Sequence, residues 1–117
     1  MSLLAKIHDE DEDGTPVVVI EGEIDSSNSD EISNRLRTTI SNQRMALVID
    51  LTPTTYIDSA GINVLFRLGL ELSERQQRLH IVVASGSPIE RMLEIVGLDR
   101  AIPTFPTRAS ALDGLQG

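Results

Sequence analysis

Residues 45–75 constrain the fold of this chain more than any other stretch. They begin with a short apolar run, residues 45–51, which is too brief for a helix and has the β-branched and apolar character of a buried strand. After a polar loop, apolar residues recur at helical spacing and predict a helix over residues 60–75. A buried strand followed closely by an amphipathic helix is typical of α/β proteins.

The same alternation continues on both sides of this stretch. Further strands are predicted over residues 5–8, 16–24, 79–84 and 101–105, with the acidic run 9–14 as a hairpin loop after the first. The order of elements is then β-β-α-β-α-β-α-β-α. This order predicts one α/β domain spanning residues 1–117, with helices packed on a mixed, mostly parallel sheet.

Three further helices carry start and stop signals. The first has capping-box spacing between Ser27 and Asp30, and its predicted buried stripe is Ile32, Leu36 and Ile40.

The third helix has Ser87 as N-cap, Pro88 at the first helical position, Glu90 completing a capping box and Gly97 at its end. Its predicted apolar face is Ile89, Met92, Leu93 and Val96. The last helix is predicted over residues 107–115, ending in Gly117.

Charge and cysteine content exclude several function classes. Acidic residues outnumber basic ones by 18 to 10, and the net charge of −8 disfavours binding to nucleic acid or to anionic lipid. The chain has no cysteine, so disulfides and thiolate metal sites are excluded. It has neither a signal-peptide pattern nor an apolar run of about 20 residues, and we therefore expect a cytoplasmic protein without a membrane partner.

No catalytic, cofactor or metal residues are predicted. The sequence around Ser59 is not the G-x-S-x-G elbow of serine hydrolases, and the two histidines, His8 and His80, are interpreted as ordinary strand residues. The acidic run resembles half of a calcium loop, but Ile20 stands where the twelfth ligand is required. Residues 85–88 could hold an anion at a helix start, but a turn followed by a cap explains them equally well.

Ser59 stands at the predicted start of the helix over residues 60–75, as its N-cap or next to it. A hydroxyl there can bond a free backbone amide, and the helix dipole favours negative charge, including a phosphate. Two interpretations are open: Ser59 is only a cap, or it is the site of a phosphorylation switch. Gly61 favours the second, because a glycine in the first turn costs helix stability and allows another chain to approach closely.

Four segments together resemble the STAS domains of bacterial anti-sigma factor antagonists. Residues 57–62, Ile-Asp-Ser-Ala-Gly-Ile, resemble the phosphorylation motif of that family, and residues 22–25, Gly-Glu-Ile-Asp, resemble its element after the second strand. Residues 48–51 and 93–99 resemble the strand before the serine and the late helix with its exit. The resemblance spans about residues 17–105 and implies the STAS fold.

The resemblance also implies a function without catalysis. An anti-sigma factor that is also a serine kinase would bind the unmodified protein and release its sigma factor. Phosphate transfer from ATP, bound by that partner, to Ser59 would end the binding, and a PP2C-type phosphatase would restore it. The partner-binding residues implied in this way are Asp25, Asp58, Ser59, Ala60, Gly61, Ile62 and Asn63.

Two alternatives accompany this expectation. Asp25 is equally well interpreted as the cap of the first helix. The whole chain is alternatively a constitutive STAS scaffold or small-ligand module in which Ser59 is only a helix cap.

Overall fold

Six strands form one mixed sheet in the computed structural model, which describes residues 4–40 and 45–116. The strands are β1 (Ala5–Glu12), β2 (Thr15–Ile24), β3 (Ala46–Asp50), β4 (Thr54–Ile57), β5 (Arg78–Val82) and β6 (Thr104–Phe105). Their order is β1-β2-β3-β5-β6, and β4 pairs with the end of β2 beyond the β2–β3 pairing. Only β1 and β2 pair antiparallel, so the predicted α/β fold with a mostly parallel sheet is confirmed.

Helices cover both faces of this sheet. They are α1 (Ser29–Thr39), α2 (Ser59–Glu74), α3 (Pro88–Ile95), α4 (Leu98–Ala101) and α5 (Arg108–Asp113). Because successive strand residues point to opposite faces, Val18 and Ile20 pack in the core formed with α1 to α4. Val17 and Val19 pack on the other face, under α5. No helix within residues 4–40 or 45–116 has the length and apolar character that a membrane crossing requires.

The predicted order of elements missed β4 and α4. The segment that holds β4 is predicted as a polar loop, because it follows Pro53 and contains Thr54 and Thr55. Pairing with β2 and a 2.7 Å hydrogen bond from the Thr54 hydroxyl to the Ile20 carbonyl hold it as a strand. The short helix α4 follows Gly97, whose φ of 77° turns the chain after α3. Ala101 therefore ends α4, and β6 is shorter than predicted.

The acidic run is mostly strand rather than loop. Strand β1 continues to Glu12 and pairs with β2 along its whole length, so the turn is confined to Asp13 and Gly14. Both turn residues have positive φ, 52° and 91°, which is the conformation that glycine and aspartate tolerate best. Charged side chains on an edge strand discourage pairing with other chains.

The helix-start predictions had mixed outcomes. Ile32, Leu36 and Ile40 are buried as expected, but the residue before α1 is Asn28, and the predicted capping box of Ser27 and Asp30 is wrong. For α3, the Ser87 hydroxyl accepts a hydrogen bond from the Glu90 amide at 3.1 Å, which confirms the predicted cap. The predicted capping box is wrong, because the Glu90 carboxylate accepts from the Gly86 amide at 2.8 Å rather than from that of Ser87. The last helix has Thr107 as its N-cap and ends at Asp113, two residues before the predicted Leu115; Gly117, the predicted stop after it, lies outside the described residues.

Candidate functional site

Ser59 is the first residue of α2 and not its cap. The N-cap is Asp58, which follows β4 directly, so Ser59 stands next to the cap, as one of its two predicted positions has it, and the alternative in which Ser59 itself caps the helix is wrong. Aspartate and serine are both good cap residues, and the adjacent pair could not be separated by sequence. Because Asp58 takes the cap position, the side chain of Ser59 is left exposed and its hydroxyl is accessible from solvent.

The carboxylate of Asp58 is held by three backbone amides. Its Oδ1 accepts hydrogen bonds from the amides of Ala60 at 2.9 Å and Gly61 at 3.1 Å, in the first turn of α2. Its Oδ2 accepts a hydrogen bond from the amide of Ser26 at 3.2 Å, in the loop between β2 and α1. The side chain therefore joins this loop to the start of α2.

Asp25 organises the same loop without capping α1. Its Oδ1 accepts hydrogen bonds from the amide of Ser27 at 2.9 Å and from the hydroxyl of the same residue. The side chain of Asn28 accepts from the amide of Asp25 at 2.9 Å and donates to the Glu23 carbonyl at 2.8 Å. The interpretation of Asp25 as the cap of the first helix is thus wrong, and the carboxylate stays half-buried on the loop beside α2.

Gly61 is explained by the core rather than by the surface. A Cβ at this position would lie 2.7 Å from Cγ2 of Ile24 and 2.8 Å from Cγ1 of Ile57, both buried strand residues. The absence of a side chain lets the first turn of α2 sit directly on β2 and β4. Packing against Ile24 and Ile57 therefore accounts for Gly61 without the close approach of another chain.

The remaining predicted residues divide between the core and the surface. Ile62 is only 7% exposed and belongs to the main core, whereas Asn63 is exposed and Ala60 is half-buried. A shallow groove runs beside them, between the start of α2 and the end of α3. It is lined by Ser59, Ala60, Ile62, Asn63, Phe66 and Val96.

Helix α3 adds an apolar surface that the sequence analysis missed. Its buried residues are Ile89 and Leu93, spaced one turn apart, while Met92, Ile95 and Val96 are 39%, 70% and 41% exposed. The prediction that Met92 and Val96 face the core is wrong, because an eight-residue helix on this sheet buries only one narrow stripe. The sequence did contain a signal for this surface, because α3 has more apolar residues than one buried stripe needs.

Neither histidine is brought to Ser59. His8 and His80 lie on the α5 face of the sheet, as their register with Val19 and Val48 requires, whereas α2 lies on the opposite face. No cluster of three or more possible metal ligands exists among the residues that the structure describes. At the turn before α3, the Glu90 carboxylate accepts the Gly86 amide at 2.8 Å, so that amide already has an acceptor.

Comparison with known proteins identifies relatives over nearly the whole chain. The sequence model of the STAS domain matches residues 6–111. The anti-sigma-F factor antagonist RsfB of Mycobacterium tuberculosis is 30% identical over 107 residues, covering 92% of this chain and 86% of that protein. The crystal structure of an anti-sigma factor antagonist from Mycobacterium paratuberculosis has a TM-score of 0.86 at 26% identity, covering 97% of this chain and 95% of the other. SpoIIAA in its unphosphorylated form, at 19% identity, shares the fold with a TM-score of 0.76, covering 96% and 97%.

Proposed function

The chain belongs to the STAS domain family, and we propose that it is an anti-sigma factor antagonist controlled by phosphorylation of Ser59. The observation that carries the proposal is the position of this serine. Its side chain is exposed at the first turn of α2, next to a capping carboxylate and beside a groove with apolar walls. The names of its relatives point to the same class of protein.

The proposed partner is an anti-sigma factor that is also a serine kinase. Its surface would cover Asp25, Asp58, Ser59, Ala60 and Asn63, with Gly61 and Ile62 supporting them from below. The exposed side chains of Met92, Ile95 and Val96 extend this surface with apolar area. Apolar side chains beside a polar rim are the usual composition of a specific protein interface.

ATP would be bound by the kinase, and this chain would supply only the acceptor hydroxyl. The bond between the γ-phosphorus and its bridging oxygen breaks, the Ser59 Oγ–phosphorus bond forms, ADP leaves and the hydroxyl proton passes to a base of the kinase. A PP2C-type phosphatase would hydrolyse the phosphoserine and restore binding. We propose that this cycle takes place in the cytoplasm and that the chain itself is not an enzyme.

Phosphorylation of Ser59 would oppose binding through local charge. A phosphoserine carries about −1.5 to −2 charges, and the Ala60 and Gly61 amides that could offset them already bond Asp58. The phosphate would therefore add to the negative charge of Asp58 and of the nearby Asp25. Charge mismatches of this kind at an interface cost several kcal/mol, and each 1.4 kcal/mol weakens binding about tenfold.

The alternative function is a constitutive scaffold in which Ser59 only caps α2, but the N-cap of α2 is Asp58. Asp58 accepts the amide hydrogen bonds of the first turn, so a structural need for a hydroxyl at Ser59 is removed. A serine that is exposed and not needed as a cap is better explained by a role at the surface.

The proposal is tested with the cognate anti-sigma kinase, ATP and intact-mass spectrometry followed by peptide mapping. We expect one phosphate on Ser59, which Ser59→Ala abolishes. Ser73→Ala is the matched control, since Ser73 is also exposed on α2 and its loss should leave phosphorylation unchanged. Ser59→Asp should weaken binding of the kinase by about a hundredfold with the fold intact.

The contrary results are equally clear. Phosphorylation that persists in Ser59→Ala, or binding unaffected by Ser59→Asp, would show that the switch is not at this serine. Binding of the kinase without any phosphate transfer, and insensitive to Ser59→Asp, would favour the scaffold.

A further inference from the structure

His80 lies between the sheet and α5 in a closed environment. It is 1% exposed, and its ring stacks on Phe105 with centroids 4.6 Å apart. Nδ1 is 2.9 Å from the carbonyl oxygen of Ala111 in α5. Because a carbonyl oxygen only accepts hydrogen bonds, Nδ1 carries the proton, and the other ring nitrogen of the neutral imidazole is an acceptor. That nitrogen, Nε2, is 3.4 Å from Nη2 of Arg78.

Arg78 holds the end of the same helix. Its Nη2 donates to the carbonyl of Gly114 at 3.0 Å, and its Nη1 donates to the carbonyl of Leu115 at 3.4 Å. Carbonyls at the end of a helix have no partner within it, so the guanidinium replaces the missing donors. The helix end is also tightly packed, because a Cβ on Gly114 would lie 2.8 Å from the Phe105 ring and 3.1 Å from the His80 ring.

We propose that Arg78 and His80 form an acid-sensitive latch, which holds the C-terminal end of α5 on the sheet only while His80 is neutral. A proton taken up from solvent at Nε2 would remove the acceptor that faces Arg78 and would place two cations 3.4 Å apart. The buried imidazolium would then repel the guanidinium, which belongs to an exposed residue. The Arg78 side chain would move away, and the carbonyls of Gly114 and Leu115 would lose their donors.

The remaining charged groups near α5 do not compensate this repulsion. On β3, the Asp50 carboxylate bonds Nη2 of Arg108 at 3.0 Å and is thus already neutralised by α5 itself. Arg108 also pairs with Glu10 and Glu12 of β1, at 2.6 Å and 3.3 Å. Asp113 on α5 and Asp13 in the turn after β1, which lines the same groove as Arg78, are both exposed, and neither forms an ion pair with Arg78 among the described residues. The β2 residues beneath the helix are valines, and Phe105 on β6 does not titrate.

The pH range follows from the environment of the imidazole. Burial, and then the positive charge of Arg78, lower the pKa of His80 below its ordinary value of 6.5, and the hydrogen bond to Ala111 only partly offsets this. The folded protein therefore binds fewer protons here than the unfolded chain. The contribution of His80 to stability is complete above about pH 6.5 and is lost as the pH falls from there through the pKa of the folded state.

Release would begin at one end of the helix. The pKa values of Asp50 and Glu10, which hold the first residue of α5 through Arg108, are lowered below their ordinary 3.8 and 4.5. That end therefore stays attached under mild acid, while the end held by Arg78 opens. The opening uncovers the apolar stripe of Val17, Val19, Val48 and Val82, which the folded protein keeps at most 5% exposed.

The test measures backbone amide exchange of the full-length protein between about pH 7.5 and about pH 5, corrected for the intrinsic rate at each pH. We expect the amides of Ala111, Gly114 and Leu115 to lose protection about tenfold relative to β3 and β5 on acidification. His8→Gln is the matched control, because His8 is exposed on β1 and its Nε2 lies 3.1 Å from Glu10 and not at the Arg78 end of α5, so the acid-induced loss of protection at Gly114 and Leu115 should persist. His80→Gln should abolish the pH dependence, since a glutamine amide does not titrate in this range.

Imidazole nitrogen NMR of the wild-type protein gives a second measurement that does not depend on how His80→Gln folds. It should find the Nδ1–H tautomer at neutral pH and protonation of Nε2 concurrent with the loss of α5 protection. Uniform protection of α5 and the strands at every pH, or loss of protection while His80 remains neutral, would overturn the proposal.

Discussion

Asp50 and Asp58 both stand at the carboxyl end of a strand in the same sheet, and their carboxylates are held in opposite ways. Asp50 is 7% exposed and receives hydrogen bonds from Arg108 at 3.0 Å and from the amide of Thr52 at 2.9 Å. Asp58 is half-buried, and its described hydrogen bonds come from three backbone amides and from no cation. A cationic side chain balances the charge of Asp50, whereas no cation among the described residues bonds Asp58.

This difference separates a structural aspartate from one that bears on function. Burial alone would raise the pKa of Asp50, but hydrogen bonds from Thr52 and Arg108 and the charge of Arg108 outweigh it and leave the pKa below 3.8. Asp50 is therefore an ionised residue whose ion pair with Arg108 attaches α5 to the sheet. Asp58 fixes the start of α2 through neutral groups, so its negative charge remains beside Ser59 and is sensitive to any further anion.

The largest effect is expected from removing the cation that Asp50 requires. Arg108→Met should lower the free energy of unfolding by about 2–4 kcal/mol, because it leaves a buried carboxylate without its charged partner. The estimate is below that for a fully buried pair, since the Arg108 side chain is 27% exposed. Urea-induced unfolding at neutral pH measures the change.

The matched control is the double variant Asp50→Asn/Arg108→Met, which removes both charges and should recover a large part of the loss. Asp50→Asn alone should flatten the acid limb of the stability profile. Because the pKa of Asp50 is lowered, its contribution is complete above about pH 4 and is lost as the pH falls through the folded-state value. A cost for Arg108→Met below about 1 kcal/mol would contradict the assignment of Arg108 as the partner that Asp50 needs.

A smaller effect is expected at Asp58, because its partners are neutral backbone amides and its side chain is only half-buried. Asp58→Ala should cost about 1 kcal/mol, the usual value of an N-cap. Asp58→Asn should cost only a few tenths, since asparagine caps helices as well as aspartate does. Thermal and urea unfolding of both variants measure this difference. If asparagine were as costly as alanine, the charge of Asp58 rather than its hydrogen bonds would hold the helix start.

Much of the fold follows from hydrophobic spacing in the sequence. The stripe of Ile32, Leu36 and Ile40, and the cap at Ser87, could be predicted because their causes lie within one turn of helix. Strand β4 could not, since only two of its four residues, Thr54 and Ile57, are buried. Its existence depends on the free edge of β2, which no local pattern reveals.

The sequence predicted where the candidate site lies, but not which residue caps α2 or which side chains of α3 are exposed. The Ser59 position follows from a strand that gives way to a helix, but the choice between Asp58 and Ser59 as cap depends on the loop that offers the Ser26 amide. Whether Met92 and Val96 are buried or exposed depends on how much of α3 the sheet covers. His80 looked like any other strand residue, because its partners, Ala111 and Phe105, come from elements much later in the chain.

The smallest predicted effect on stability tests most specifically whether the negative charge of Asp58 acts on position 59. Ser59→Asp should lower the free energy of unfolding by about 0.3–1 kcal/mol in the wild type, because it adds a second anion next to the capping carboxylate. In an Asp58→Asn background, the cap is neutral and the new carboxylate interacts favourably with the helix N-terminus, so the same substitution should be neutral or stabilising by about 0.3–1 kcal/mol. The measurement is the unfolding free energy of the four proteins of this double-mutant cycle.

A background of Asp50→Asn provides the control for this cycle. Asp50 is already paired with Arg108, so its removal should leave the effect of Ser59→Asp close to that in the wild type. An equal effect of Ser59→Asp with and without the Asp58 charge would mean that the two positions do not interact electrostatically. Phosphate on Ser59 would then have to act on a partner through its bulk and its own charge alone, without reinforcement from the carboxylate beside it.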